Sequence, residues 1–232
     1  MHAALGEPVR LAIVDHIRLA DASPGELGIA FGVPTNLLAH HLRVLEEAGL
    51  IRRVRSEGDQ RRTYVRLRLE DPLVEAIPGV RAPLAARRVV FVCTHNSARS
   101  QLAAAAWSRM HSVPATSAGT RPSAKVHRRA ISTGKRHGLG LTGAQPADAA
   151  DVLRHGDLIV AVCDNAYEEL ASAGGSTTLH WAVPDPVRIN TDAAFERAYQ
   201  DITRRVDRLA RSTADRRPRT SATDRTHRRS TP

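Results

Sequence analysis

Cys93 and Arg99 stand six residues apart in "RVVFVCTHNSARSQLAAAAW", residues 88–107, with an apolar run before the cysteine and a helix-forming stretch after the arginine. The run reads as a buried strand ending at Cys93. Thr94, His95, Asn96, Ser97 and Ala98 would then curve over the thiol as a loop, and Arg99 and Ser100 would open a helix. Backbone N–H groups in such a loop and the positive end of the helix dipole converge where an oxyanion would sit. The same field favours thiolate over thiol, and Arg99 offers a planar fork to two oxygens of a tetrahedral anion. A thiolate attacking such a centre expels a poor leaving group unless an acid protonates it. Asp185, between Pro184 and Pro186 in "HWAVPDPVR", is the candidate acid, on a loop that follows a late strand and opens at the same sheet edge. An aspartate between prolines is otherwise a turn former; the cysteine loop decides for the acid.

The elements that must hold these residues alternate between strand and helix. "RVVFV", "ATSAG", "DLIVAV" and "TTLHW" read as strands, while "SQLAAAAWSRM", "VHRRAISTGKRHG" and "DAAFERAYQDITRRVDRLA" read as helices. That order predicts an α/β, doubly wound parallel sheet over residues 88–212, with its ligand site at the carboxyl ends of the strands.

The preceding residues, 1–77, follow different rules. "GEPVRLAIVDHIRL" is an amphipathic helix with Pro8 at its first position, and "SPGE" opens another through a Ser23–Glu26 capping box that ends near Gly32. In "PTNLLAHHLRVLEEAG", Leu38, Leu42 and Leu45 form a buried stripe, and Asn36, His40, Arg43 and Glu47 lie opposite. Two strand-like runs follow, around a turn at 56–60, with Val65 and Leu67 alternating against Arg66 and Arg68. Helix-turn-helix plus hairpin is a winged helix, and seven arginines against Glu57 and Asp59 within 51–68 point the wing at the phosphates of duplex DNA. Histidines here read as groove or core residues, and no metal site is expected.

"PGVRAPLAAR", residues 78–87, reads as a linker, and residues 213–232, with 6 arginines against 2 aspartates and almost nothing apolar, as a disordered basic tail. The whole-chain charge of +10 is uneven: residues 1–87 carry 12 basic against 11 acidic side chains. DNA binding therefore rests on the wing, not on the total. No apolar run is long enough for a membrane span, no signal core is present, and two cysteines make no disulfide framework. A cytoplasmic protein with no membrane contact is expected.

"LGEPVRLAIVDHI", "HHLRVLEEAGLIRR" and the arginine-rich wing resemble the ArsR family of winged-helix repressors across roughly residues 3–70. The resemblance implies a homodimer on a palindromic operator, with the helix from Thr35 to Glu47 in the major groove. Thr35, Asn36, His40, Arg43, Arg61 and Arg62 are the candidate DNA contacts. Arsenic-sensing members bind the metalloid through cysteines; this module has none.

"CTHNSARSQ", "SAGT" and "PDP" resemble the low-molecular-weight tyrosine phosphatase superfamily, and most of all its arsenate-reductase branch, which implies a flavodoxin-like fold. By that resemblance Cys93 is the nucleophile, Arg99 the oxyanion clamp, Asn96 a loop organiser, Ser100 a donor to the Cys93 thiolate and Asp185 the general acid. Thr94 through Arg99 would bind the oxyanion, arsenate or phosphate. Trp181 is the only aromatic near Asp185, so the pocket suits a small anion better than an aryl ester. Reduction needs a second thiol: either Cys163, after "DLIVAV", reacts with Cys93 directly, or a small external thiol attacks and Cys163 packs at a strand end. The third cysteine of thioredoxin-linked relatives is replaced by Leu170. Electrons would then come from an external thiol, mycothiol, glutathione or a thioredoxin-type system, with no bound cofactor. Three functions follow in order: arsenate reductase fused to a DNA-binding regulator, protein tyrosine phosphatase, and an oxyanion-responsive regulator without turnover.

Overall fold

The computed structural model describes residues 2–75, 77, 84–172 and 178–215. The first module starts with α1 (His2–Leu5) and α2 (Pro8–His16). Glu7 caps α2 by accepting from the Val9 and Arg10 amides, and Pro8 takes the first turn, where its missing N–H costs nothing. In α3 (Pro24–Phe31) the Ser23–Glu26 capping box is formed in both directions, and Gly32 closes the helix in the left-handed region at φ +61°. A short turn leads to α4 (Thr35–Glu47), whose Leu38, Leu42 and Leu45 are buried against Ile13, Leu27 and Ile51.

The wing is the antiparallel pair β1 (Ile51–Arg55) and β2 (Thr63–Leu67), in register Ile51 to Leu67 and Arg53 to Val65. The expected alternation along β2 is not observed: Tyr64, Val65, Arg66 and Leu67 are all buried. One face of β2 packs on the helices and the second module covers the other, so Arg66 is 2 % exposed and serves an internal contact. A short α5 (Pro72–Glu75) ends the module.

The linker expectation is corrected at one end. Residues 78–83 lie outside the described residues, but β3 (Leu84–Ala86) pairs in parallel with β8 (Thr213–Asp215), in register Leu84 to Thr213. The expected tail therefore begins as a strand, and residues 216–232 lie outside the described residues. Three-residue strands are too short for periodicity to reveal; they form here because Ala86 and Thr213 find buried sites.

Between them runs the α/β unit: β4 (Val89–Cys93), α6 (Arg99–Met110), β5 (Ala115–Gly119), α7 (Arg128–Arg136), α8 (Ala149–Val152), β6 (Leu158–Ala161), α9 (Asp164–Ser172), β7 (Thr178–His180), α10 (Pro186–Ile189) and α11 (Asp192–Arg211). The sheet order is β5-β4-β6-β7, all parallel. Every residue of β4 is buried, as a central strand covered on both faces requires. The order reverses at β4, so a crevice opens beyond its carboxyl end, where Cys93 sits.

The modules share an interface of buried charge. Arg66 donates to the Ala182 carbonyl at 2.6 Å and pairs with Asp201 at 2.5 Å; Arg205 reaches both Asp201 and Asp21. Asp21 accepts from the Ala182 amide, and Trp181 donates its indole N–H to the Leu19 carbonyl. Tyr64 lies edge-on to the His180 ring, which stacks on Tyr167.

Candidate active site

The loop over Cys93 is shaped by what its carbonyls are given. Thr94, His95 and Ser97 carbonyls accept from the amides of Arg121, Ser123 and His127 at 2.8 to 3.0 Å, and the Asn96 carbonyl accepts from Gln101 Nε2 at 3.1 Å. In a trans peptide the next N–H points opposite to the carbonyl. The amides of His95, Asn96, Ser97 and Ala98 are thus turned to the concave side, as an anion cradle needs.

Asn96 takes the left-handed conformation, φ +47°, and its side chain fixes the loop from within. Its Oδ1 accepts from the Ala147 amide and from Gln101, while its Nδ2 donates to Ser100 Oγ at 2.8 Å. Ser100 Oγ lies 3.1 Å from Cys93 Sγ, within reach to donate to a thiolate there. Gly119 is required by the same packing: a Cβ there would stand 2.9 Å from the Thr94 carbonyl oxygen and 3.0 Å from Asn96. The His127 imidazole is pushed down by burial and by Arg129 and Arg128, and its Nδ1 accepts from the Arg129 amide.

Arg99, buried in the first turn of α6, donates from Nη1 to the Val183 carbonyl at 2.9 Å and places Nη2 3.5 Å from Asp185 Oδ2. Burial opposes its charge, but Cys163, Asp185, Cys93 and Glu57 together outweigh that and drive the guanidinium up. Asp185 caps α10, its carboxylate accepting from the Val187 amide. Cys163 follows β6 one strand over, with Sγ 3.5 Å from Thr94 Oγ1. Burial pushes its thiol up against the pull of Arg99. The structure therefore brings Cys93, Asn96, Arg99, Ser100, Cys163 and Asp185 to one place.

A family model of low molecular weight phosphotyrosine protein phosphatases matches residues 88–219. The chain belongs to that family. The match runs past the expected boundary at 212 and takes in β8. A helix-turn-helix domain model matches residues 5–54. Among solved structures, the tyrosine phosphatase AmsI of Erwinia amylovora is similar at 18% identity and TM-score 0.51, over 56% of this chain and 94% of that one. Tyrosine phosphatase Wzb of Escherichia coli K30, solved with sulphate, is 22% identical at TM-score 0.49, over 54% and 97%. Arsenate reductase of Archaeoglobus fulgidus is 26% identical at TM-score 0.43, over 53% and 98%. These likenesses are of fold. No curated protein sequence matches the chain.

Two features of this phosphatase-family site are not foreseen in the sequence. Trp181 is no pocket wall; it is 1 % exposed, in the core against Phe91. A cleft of about 900 Å³ beside the loop is lined instead by residues such as His95, Lys125, His127, Arg128 and Val187, with no Phe, Tyr or Trp among its described residues. Second, Glu57 comes from the wing: its carboxylate accepts from the Asp185 amide at 3.0 Å and stands 3.5 Å from Arg99 Nη1. Its only trace in the sequence is an acid at the tip of an arginine-rich hairpin.

In the first module Thr35, Asn36, His40 and Arg43 are exposed along α4, with Arg43 Nη2 3.2 Å from His40 Nδ1. Arg61 is 90 % exposed and Arg62 about half, both beside Asp59. His41 is buried, 3.5 Å from the Glu7 carboxylate. Among the described residues no group of three His, Cys, Asp or Glu is placed to hold a metal, and no helix is long and apolar enough to cross a membrane.

Proposed function

We propose that the chain reduces arsenate at Cys93 and carries this activity, fused to a DNA-binding regulator, in arsenic detoxification. The observation that carries the reading is a second thiol near the first: Cys93 ends β4, Cys163 follows the neighbouring strand β6, and both lie in the field of Arg99. Arsenate enters the cradle, the Cys93 thiolate forms a sulfur–arsenic bond, and one oxygen leaves as water with a proton from Asp185. A second thiolate then attacks Cys93 Sγ. The sulfur–arsenic bond breaks toward arsenic, which departs as arsenite with two more electrons, and the two sulfurs are left as a disulfide. Burial keeps Cys163 protonated at rest, so it must lose its proton to be that thiol. An external thiol, mycothiol, glutathione or a thioredoxin-type protein, then reduces the disulfide.

The test is arsenate reduction by the purified chain with each class of thiol donor, beside hydrolysis of p-nitrophenyl phosphate. Cys163→Ser should stop turnover with a thioredoxin-type donor. Arsenate turnover slower than ester hydrolysis with every donor would replace this reading by the phosphatase one, which the same Cys93, Arg99 and Asp185 set supports. The absence of Phe, Tyr and Trp among the described residues lining the cleft favours an anion over an aryl ester.

The exposed α4 residues and the exposed wing arginines Arg61 and Arg62 support binding to a duplex DNA operator; that this is done as a homodimer is what the resemblance to ArsR-type repressors implies. Should the second module only sense oxyanion, Cys93→Ser would leave operator binding responsive to arsenate.

A further inference from the structure

The tip of the wing is seated on the second module by its own backbone. The Glu57 amide donates to Asp164 Oδ2 at 2.7 Å, and the Asp59 amide to Glu168 Oε2 at 2.8 Å. Glu168 Oε1 also accepts from the Ser56 and Tyr64 hydroxyls, at 2.8 and 2.9 Å. Gly58 fits between them because it lacks a Cβ; one would run into the Glu168 carboxylate and the Asn165 amide. This seat delivers a single carboxylate, Glu57, to Arg99 and to the Asp185 amide.

Arg99 is then already faced by two carboxylates. Nη1 serves the Val183 carbonyl and Glu57, and Nη2 faces Asp185. A tetrahedral dianion in the loop needs the guanidinium fork for two of its oxygens, and it brings further negative charge beside Glu57 and Asp185. A carboxylate and a dianion on one guanidinium oppose each other.

We propose that Glu57 is a built-in competitor of the oxyanion: the docked wing holds a carboxylate on the Arg99 clamp, so wing docking and oxyanion binding oppose each other. The proposal rests on the reading of the loop as an oxyanion cradle. Linkage makes the opposition mutual: whatever loosens the wing tightens the anion, and the anion loosens the wing by the same factor.

Inorganic phosphate serves as the probe in two measurements on the full chain. The first is the phosphate concentration that half-protects Cys93 from iodoacetamide. Glu57→Gln, which removes the charge, should lower it roughly tenfold, the worth of one hydrogen bond to a charged group. Glu168→Ala, which removes the acceptor of the Ser56 and Tyr64 hydroxyls and the Asp59 amide and keeps the Glu57 side chain, should lower it in the same direction. The second is hydrogen exchange at the Glu57 and Asp59 amides, which phosphate should speed in the wild type and leave unchanged in Glu57→Gln. Wild-type half-protection in both variants, or wing exchange indifferent to phosphate that does protect Cys93, overturns the competition while the cradle stands. Absence of protection in all three proteins removes the cradle, and the competition with it.

Discussion

Glu57 on the wing and Arg99 at the start of α6, 42 residues later in the chain, meet carboxylate to guanidinium at 3.5 Å. The contact makes the active site a joint product of both modules. The loop, Arg99 and Asp185 all belong to the second module, and Glu57, the carboxylate beside Arg99, belongs to the first.

On the proposed reaction, in which Cys93 forms the covalent bond and Asp185 protonates the departing oxygen, the two should fail differently when replaced. Cys93→Ser should abolish turnover, since a hydroxyl is far less nucleophilic than a thiolate. Asp185→Asn should still bind phosphate and lose roughly 10²- to 10⁴-fold in rate. Single-turnover kinetics with arsenate separates the two; equal losses in both would deny Asp185 the role of acid.

Gly119→Ala tests the cradle without touching a reacting group. A Cβ against the Thr94 carbonyl and Asn96 forces the loop to move, and overpacking of this kind costs about 1–3 kcal/mol. The variant should show that loss in urea denaturation, together with weaker phosphate protection of Cys93. Protection at wild-type phosphate concentrations would mean that the loop does not depend on this packing.

Arg61 and Arg62 are exposed at the end of the wing, and both pair with Asp59 there. Replacing both by alanine should weaken binding to all duplex sequences and reduce the slope of log affinity against log salt by about 2, one for each phosphate that the variant no longer neutralises. An unchanged slope would place the wing away from the DNA backbone.

Asp201 ties the modules to an acid limit. Burial opposes its charge, but Arg205 and Arg66 hold the carboxyl well below the usual carboxylate range. Its contribution is complete above the unfolded value of about 3.9 and is lost as pH falls through the lower folded one. Between pH 5 and 3, the urea midpoint should fall more steeply in wild type than in Asp201→Asn. At neutral pH, Arg66→Met should cost about 1–3 kcal/mol, because it leaves the buried Ala182 carbonyl without its donor while Arg205 still pairs with Asp201. Parallel acid profiles for wild type and Asp201→Asn would discount the pair.

The local parts of this molecule are the legible ones. Cys93, Arg99 and Ser100 are placed by a strand end, a loop and a helix start within eight residues, and the Ser23–Glu26 box and the Leu38, Leu42, Leu45 stripe are equally local. Asp185 is readable only because the cysteine loop gives it a task. The wing misleads for the opposite reason: Tyr64 and Arg66 look outward in a period-2 pattern, and only the second module, more than 100 residues away at Asp201, Glu168 and Ala182, turns that face inward. Glu57 is hidden in the same way. Among arginines it reads as a charge balance, and its partners Asp164, Arg99 and Asp185 lie on three separate elements.

The β2 strand, buried on both faces, has no outside. Fused domains are commonly interchangeable beads, and a recombination event that exchanges one bead leaves its neighbour intact. Here such an exchange would strip Tyr64 and Arg66 of their cover and leave Asp201 and Arg205 facing a stranger. The two halves of this gene must therefore drift together: a change at Asp21 or Arg66 calls for an answering change at Arg205 or Asp201. In a set of related fusions those positions should covary across the join, while the exposed residues of α4 vary with the operator alone.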